Sequence, residues 1–77
     1  GREIALFRRG DRVFALENVC PHRGAALAFG DVREDVVYCP LHAWPFHLPT
    51  GACLDRDGVR VESYPVHVEG GEVHLEL

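Results

Sequence analysis

Short β-prone runs separated by turn signals account for most of the chain. Glu3 to Arg9 and Arg12 to Glu17 are rich in strand-favouring residues and flank Gly10-Asp11, which predicts a hairpin. A loop-rich stretch follows from Asn18 to Gly30. Gly30-Asp31 predicts a further turn, and Asp35 to Tyr38 a brief strand that delivers the chain to Cys39. Trp44, Phe46 and Leu48 alternate with Pro45, His47 and Pro49, a period of two that predicts one buried face. Two prolines in that run exclude a central strand, so it belongs at a sheet edge or in a loop. Tyr64 to Glu69 and Glu72 to Leu77 flank Gly70-Gly71 and predict a second hairpin, with Val66, Val68, Val73, Leu75 and Leu77 on the apolar phase. No segment sustains a 3.6-residue apolar repeat and no internal repeat is evident, so the expected class is all-β.

The length of 77 residues allows one small domain, taken as residues 1–77. A domain of this size usually needs help for its core from disulfides, a metal or a partner. Gly1 leads almost directly into strand sequence, and the expectation is that an upstream strand is missing and leaves an unpaired sheet edge. No apolar run approaches the ~20 residues that span a bilayer, and no signal-peptide pattern opens the chain, so no membrane role is expected. The domain is expected to be cytoplasmic, unless a targeting segment was removed.

The formal charge of −4, with no Lys and scattered Arg, argues against nucleic acid as a partner. A mildly acidic surface suits docking onto a basic patch of another protein. Three cysteines cannot all pair: a Cys20–Cys39 disulfide would leave Cys53 over. An odd count fits a reducing compartment and ligand cysteines better than a disulfide scaffold.

The histidines sort by phase. His67 and His74 fall on polar positions of the last hairpin, and His47 on the polar phase of the Trp44–Leu48 run; all three read as strand residues turned outward. His22 and His42 differ, because each lies beside a cysteine and a proline: Cys20-Pro21-His22 and Cys39-Pro40-Leu41-His42. Two facing loops of this kind can bring two thiolates and two imidazoles together, donors that suit zinc or iron–sulfur iron. Structural zinc sites typically place two Cys on one knuckle and two His on a helix. Here each loop supplies one of each, which fits a two-iron cluster better.

These two elements resemble the Rieske 2Fe-2S motif, and the similarity runs along most of the chain. Asn18 through Leu27 resembles the first cluster loop, Cys39 through Phe46 the second, and Thr50-Gly51 the turn that follows. Tyr64-Pro65-Val66 through Leu75 resembles the family's closing hairpin. The resemblance implies small antiparallel sheets with a two-loop cluster-binding lobe, formed here by about 18–30 and 39–49. It also implies one Rieske-type 2Fe-2S cluster held by Cys20, His22, Cys39 and His42, with Cys20 and Cys39 on one iron and the histidines on the other. In the family both imidazoles coordinate through Nδ1 and face the surface, which makes His22 and His42 the expected exit for the electron.

Departures within the family carry information. Respiratory Rieske proteins brace the cluster with a disulfide whose positions match Ala25 and Leu41, and hydrogen-bond it with a serine and a tyrosine where Ala43 and Trp44 stand. The resemblance thus implies a low-potential, ferredoxin-like variant, near the bottom of the roughly −150 to +300 mV range of Rieske centres. Pro21, Pro40, Leu41 and Trp44 are expected to exclude water, and N–H groups around Arg23, Gly24 and Ala43 to bond the sulfurs. Trp44 serves equally well as ordinary core, and Cys53 reads as structural. Asp55-Arg56-Asp57-Gly58 reads as a turn, since a calcium loop would need a Glu where Val66 stands.

The pattern of His42, Trp44 and Phe46, followed by Leu48 and Thr50-Gly51, is similar to small subunits of assimilatory NAD(P)H nitrite reductases, although Ala43 and His47 replace a frequent Gly and Asp. Electron transfer as such a subunit is the expectation, and a Rieske ferredoxin serving a ring-hydroxylating dioxygenase the alternative. Either role implies a redox protein partner, a reductase or a terminal oxidoreductase subunit. A catalytic oxygenase would need a second iron site of two His and a carboxylate, for which the chain has no residues left. A structural zinc module is the remaining class. With no acid–base pair, phosphate loop or nucleophile constellation, no independent catalysis is expected.

Overall fold

The computed structural model describes residues 3–22 and 24–76. Eight strands make up its regular structure: β1 (Ile4–Arg9), β2 (Arg12–Glu17), β3 (Asp31–Arg33), β4 (Val36–Tyr38), β5 (Pro45–His47), β6 (Ser63–Tyr64), β7 (Val66–Glu69) and β8 (Glu72–Leu75). They form two three-stranded antiparallel sheets, ordered β1-β2-β6 and β3-β4-β5, and the separate hairpin β7-β8. The only helical turn among the described residues is a 3-10 turn at Leu27–Phe29. The protein is all-β, as the sequence patterning predicts.

Alternation explains most of the burial. In β1, Ala5 and Phe7 point into the core and Leu6 outward. In β2 the successive residues Ala15 and Leu16 are both buried, because this central strand has the core on one face and β7 against the other. Phe46 and Leu48 are fully buried and Trp44 half-buried, the single buried face that period two predicts. β5 closes one side of its ladder, where the missing N–H of Pro45 costs nothing.

Two expectations are corrected. Gly30-Asp31 is no turn: Gly30 is extended (φ −76, ψ 168) and Asp31 begins β3. The reversal lies at Glu34-Asp35, with Glu34 in the left-handed region (φ 54), and it joins β3 to β4. Glycine is needed at position 30 for a different reason, since a Cβ there would run into the backbone carbonyl oxygen of Tyr38. The last hairpin has the predicted register, Val66 opposite Leu75 and Val68 opposite Val73, yet Val68 and Val73 remain 49% and 42% exposed. Its apolar phase meets the rest of the fold chiefly at its β2 end. Leu77 lies outside the described residues.

The core gathers Phe7, Leu16, Leu27, Val37, Phe46, Leu48 and Val61 together with all three cysteines. The loop that follows β2 and the loop that joins β4 to β5 each begin at one of them. Cys20 and Cys39 thus anchor their loops in the best-packed part of the molecule.

Candidate metal centre

The second loop, Cys39 to Trp44, closes the β4–β5 hairpin directly, since Tyr38 pairs with Pro45 across its base. The first leaves β2 through Asn18, whose side-chain carbonyl accepts the Ala28 N–H at 2.8 Å and ties down the far end of the loop. Both loops use one backbone scheme. The Cys20 N–H donates to Ala25 O (2.8 Å) and Cys20 O accepts from Gly24 N (2.7 Å). The Cys39 N–H donates to Trp44 O (2.9 Å) and Cys39 O accepts from Ala43 N (3.1 Å). The fourth residue after each cysteine is left-handed, Gly24 at φ 73 and Ala43 at φ 55. Two unlike sequences therefore fold into the same cysteine-anchored loop.

Depth divides the four candidate ligands. Cys20 and Cys39 are fully buried, His22 is half-buried with its Nδ1 enclosed, and His42 is exposed. The two imidazoles meet edge to face with centroids 5.1 Å apart. The two thiols are neighbours: burial first pushes the Cys39 thiol up, and the adjacent Cys20 thiol adds to the rise, while a hydrogen bond from the Leu41 N–H to Cys39 Sγ at 3.4 Å opposes it. The sequence-predicted residues thus fall into two pairs, the thiols inside and the imidazoles toward the surface, and among the described residues no three His, Cys, Asp or Glu side chains converge on a single metal position. Such a donor set fits a 2Fe-2S cluster with one thiolate-bound and one imidazole-bound iron.

The supporting residues differ from expectation. The Gly24 and Ala43 N–H groups donate to cysteine carbonyls rather than to sulfur, because the loop closure uses them; Arg23 lies outside the described residues. The described N–H that reaches a sulfur is that of Leu41. Pro21, Pro40 and Leu41 are exposed at the loop tips. Trp44 packs against the core, as one of its two expected roles requires, and in addition stacks on His22 at 4.2 Å and 10°.

His67 and His74 are exposed and stack across their hairpin at 5.0 Å, while the half-buried His47 hydrogen-bonds Thr50 Oγ1 through Nδ1 at 3.0 Å. Cys53 is buried, which pushes its thiol up, and it donates to Asp55 Oδ1 at 3.3 Å. Residues 54–58 form the expected turn. Arg56 within it lies 3.7 Å over the Trp44 ring, a contact that no sequence motif marks.

A small all-β domain with two equivalent loops, each offering a deep thiol and a shallower imidazole, defines an iron–sulfur domain of the Rieske kind. The chain belongs to the Rieske-like [2Fe-2S] domain family, whose model matches residues 1–76, and its cofactor is one Rieske-type 2Fe-2S cluster. It is 41% identical over 76 residues to the 3-phenylpropionate/cinnamic acid dioxygenase ferredoxin subunit of Escherichia coli strain K12, covering 96% of this chain and 72% of that protein. The ferredoxin of carbazole 1,9a-dioxygenase from Nocardioides aromaticivorans IC177 superposes with a TM-score of 0.89 at 36% identity, over 97% of this chain and 75% of that one. A Mycobacterium tuberculosis protein taken to be an NADH-dependent nitrite reductase small subunit superposes with a TM-score of 0.86 at 35% identity, over 95% and 70% of the two chains. No helix among the described residues is long and apolar enough to cross a membrane.

Proposed function

We propose that the chain is the Rieske ferredoxin of an aromatic-ring dioxygenase system, that Cys20 and Cys39 hold one iron of its cluster, and that His22 and His42 hold the other. The observation that carries the ligand assignment is the depth ordering: paired thiols in the core and paired imidazoles toward the surface, on two loops with one backbone scheme. A cluster held by these four residues would supply one-electron transfer. The chain's own residues keep the sulfur end dry, hold the loops rigid and present the imidazole end to a partner.

Relatives favour the first of the two electron-transfer roles. The nitrite reductase expectation rests on the pattern of His42, Trp44 and Phe46 followed by Leu48 and Thr50-Gly51, whereas dioxygenase ferredoxins match in both sequence and structure. The Mycobacterium tuberculosis similarity keeps the nitrite reductase subunit as the second reading.

Beside the second loop, Phe29 is 82% exposed and lines a groove with Tyr38, Cys39, Pro40 and Ala43 and with the charged Asp31 and Arg33; Leu41 is also exposed. Apolar side chains around a redox centre suit a transient redox partner, a terminal oxygenase or a reductase, and the net charge of −4 suits a basic face on it. Ligand cysteines with one further buried thiol, Cys53, suit a reducing compartment, which supports a cytoplasmic location.

The test is delivery of electrons. Chemically reduced protein is mixed in a stopped-flow instrument with an oxidised dioxygenase terminal component or with a sirohaem nitrite reductase large subunit. Fast reoxidation by the oxygenase, with slow reoxidation by the nitrite reductase, is expected. The reverse order would overturn this reading in favour of the second.

A further inference from the structure

The turn after β5 is hung on the strand beside the second loop. Phe46 bridges Cys53, and the Leu54 N–H donates to Pro45 O at 2.9 Å, immediately next to Trp44. Two residues further on, Arg56 reaches back so that its guanidinium carbon lies 3.7 Å over the Trp44 ring. The same indole lies nearly parallel to the His22 imidazole, at 4.2 Å and 10°. His22, Trp44 and Arg56 form one stack.

The guanidinium is itself held. Its NH1 is 2.6 Å from Asp55 Oδ1, which also accepts the Cys53 thiol at 3.3 Å. Partial desolvation works against the Asp55 carboxylate, but the Cys53 and Arg56 contacts outweigh it and hold the carboxyl below its usual range. Buried Cys53 thus fixes Asp55, Asp55 fixes Arg56, and Arg56 covers the indole that lies on a candidate iron ligand.

An exposed ion pair between adjacent residues contributes little to stability, and a cation over an exposed aromatic ring is common at surfaces. What separates this one is the other neighbour of the indole. A flat cation on Trp44 restricts the ring, and the ring restricts rotation of the His22 imidazole. Its positive charge would favour adding an electron to an iron held by His22, and the Asp55 carboxylate paired with it would oppose that.

We propose that Arg56 is a positioning residue for the imidazole-bound iron: through Trp44 it fixes the His22 ring, and its charge, set against that of Asp55, raises the reduction potential. This inference rests on the ligand assignment above. The reaction it tunes adds one electron to the oxidised cluster and removes one from the reduced cluster, with no bond made or broken.

Voltammetry and EPR of the cluster-loaded protein and three variants, Arg56→Gln, Arg56→Lys and Asp55→Asn, test it. Arg56→Gln is expected to lower the reduced-to-oxidised ratio at fixed solution potential by about threefold to tenfold, a fall of about 30 to 60 mV at about 59 mV per tenfold for a one-electron couple. It is also expected to shift the EPR g-values. Asp55→Asn is expected to raise the potential, and both shifts to shrink as salt screens exposed charge. Arg56→Lys keeps the charge without the planar fork, so it is expected to recover most of the potential but not the g-values.

Wild-type potential and g-values in both Arg56→Gln and Asp55→Asn would overturn the inference, as would shifts of the same sign in the two. Should Arg56→Gln not retain its cluster, the sign of the Asp55→Asn shift decides. Wild-type protein lacking a Rieske EPR signal would instead sink the ligand assignment beneath it.

Discussion

Ala43 occupies a conformation that suits glycine better. It follows His42, also left-handed at φ 67, and matches Gly24 of the first loop in both φ and hydrogen bonding. A Cβ in this region crowds the following carbonyl, at a cost of roughly 1–2 kcal/mol. Ala43→Gly is therefore expected to stabilise the protein by up to about 1 kcal/mol, after the greater chain entropy of glycine is subtracted. A higher urea midpoint with cluster content unchanged would bear this out, and a lower midpoint would contradict it. At this scale the sequence is legible where chemistry is concentrated. Cys20, His22, Cys39 and His42 stand out because each Cys and His shares a short proline-containing stretch. The Leu41 N–H to Cys39 Sγ cannot be read from a sequence, since nearly every residue has an N–H and only the loop's path selects this one. Arg56 is hidden for a similar reason, because its contact with Trp44 depends on the pairing of Pro45 with Leu54.

Strands with a clear alternation are the legible elements. β2 matches its expected limits, β1 begins one residue late, and β5 shows the period-two face despite Pro45. The β3–β4 hairpin escapes because its turn, Glu34-Asp35, carries neither Gly nor Asn, while nearby Gly30 offers a misleading turn signal. Gly30 is required by closeness: its Cα passes the Tyr38 carbonyl just before the chain reaches Cys39. Gly30→Ala must push backbone against backbone, so a loss of about 1–3 kcal/mol is expected. Because the displaced strand carries Cys39, faster loss of cluster absorbance on mild heating is expected with it. Unchanged stability and cluster retention would show that the approach is looser than described. The β7–β8 hairpin illustrates the limit of patterning from the other side. Its apolar residues alternate correctly, but alternation specifies a face and not what covers it, and Val68 and Val73 stay half-exposed.

Across the whole molecule, two small sheets and a hairpin leave a core that includes all three cysteines. That arrangement fits a domain too small to be stabilised comfortably by apolar burial alone, since a cluster binding both loops would tie the β2 end to the β4–β5 hairpin. Family and fold class were therefore readable from two loops and the strand spacing. The physiological partner was not, because it is recognised by surface that the motifs do not include. Dioxygenase ferredoxins and the nitrite-reductase-like subunit share this backbone almost equally, with TM-scores of 0.89 and 0.86. The motif-based expectation of a nitrite reductase subunit therefore stands second to the dioxygenase ferredoxin, which the curated relatives at 41% identity favour.

The most direct test of the central claim is pulsed EPR of the reduced protein grown with nitrogen-15 histidine, with iron and acid-labile sulfide assayed on the same sample. Two irons, two sulfides and a spin-half signal coupled to two histidine nitrogens are predicted, with Cys20→Ser or His42→Ala weakening or abolishing that signal. A single zinc without sulfide, or a cluster signal with no nitrogen coupling, would contradict it.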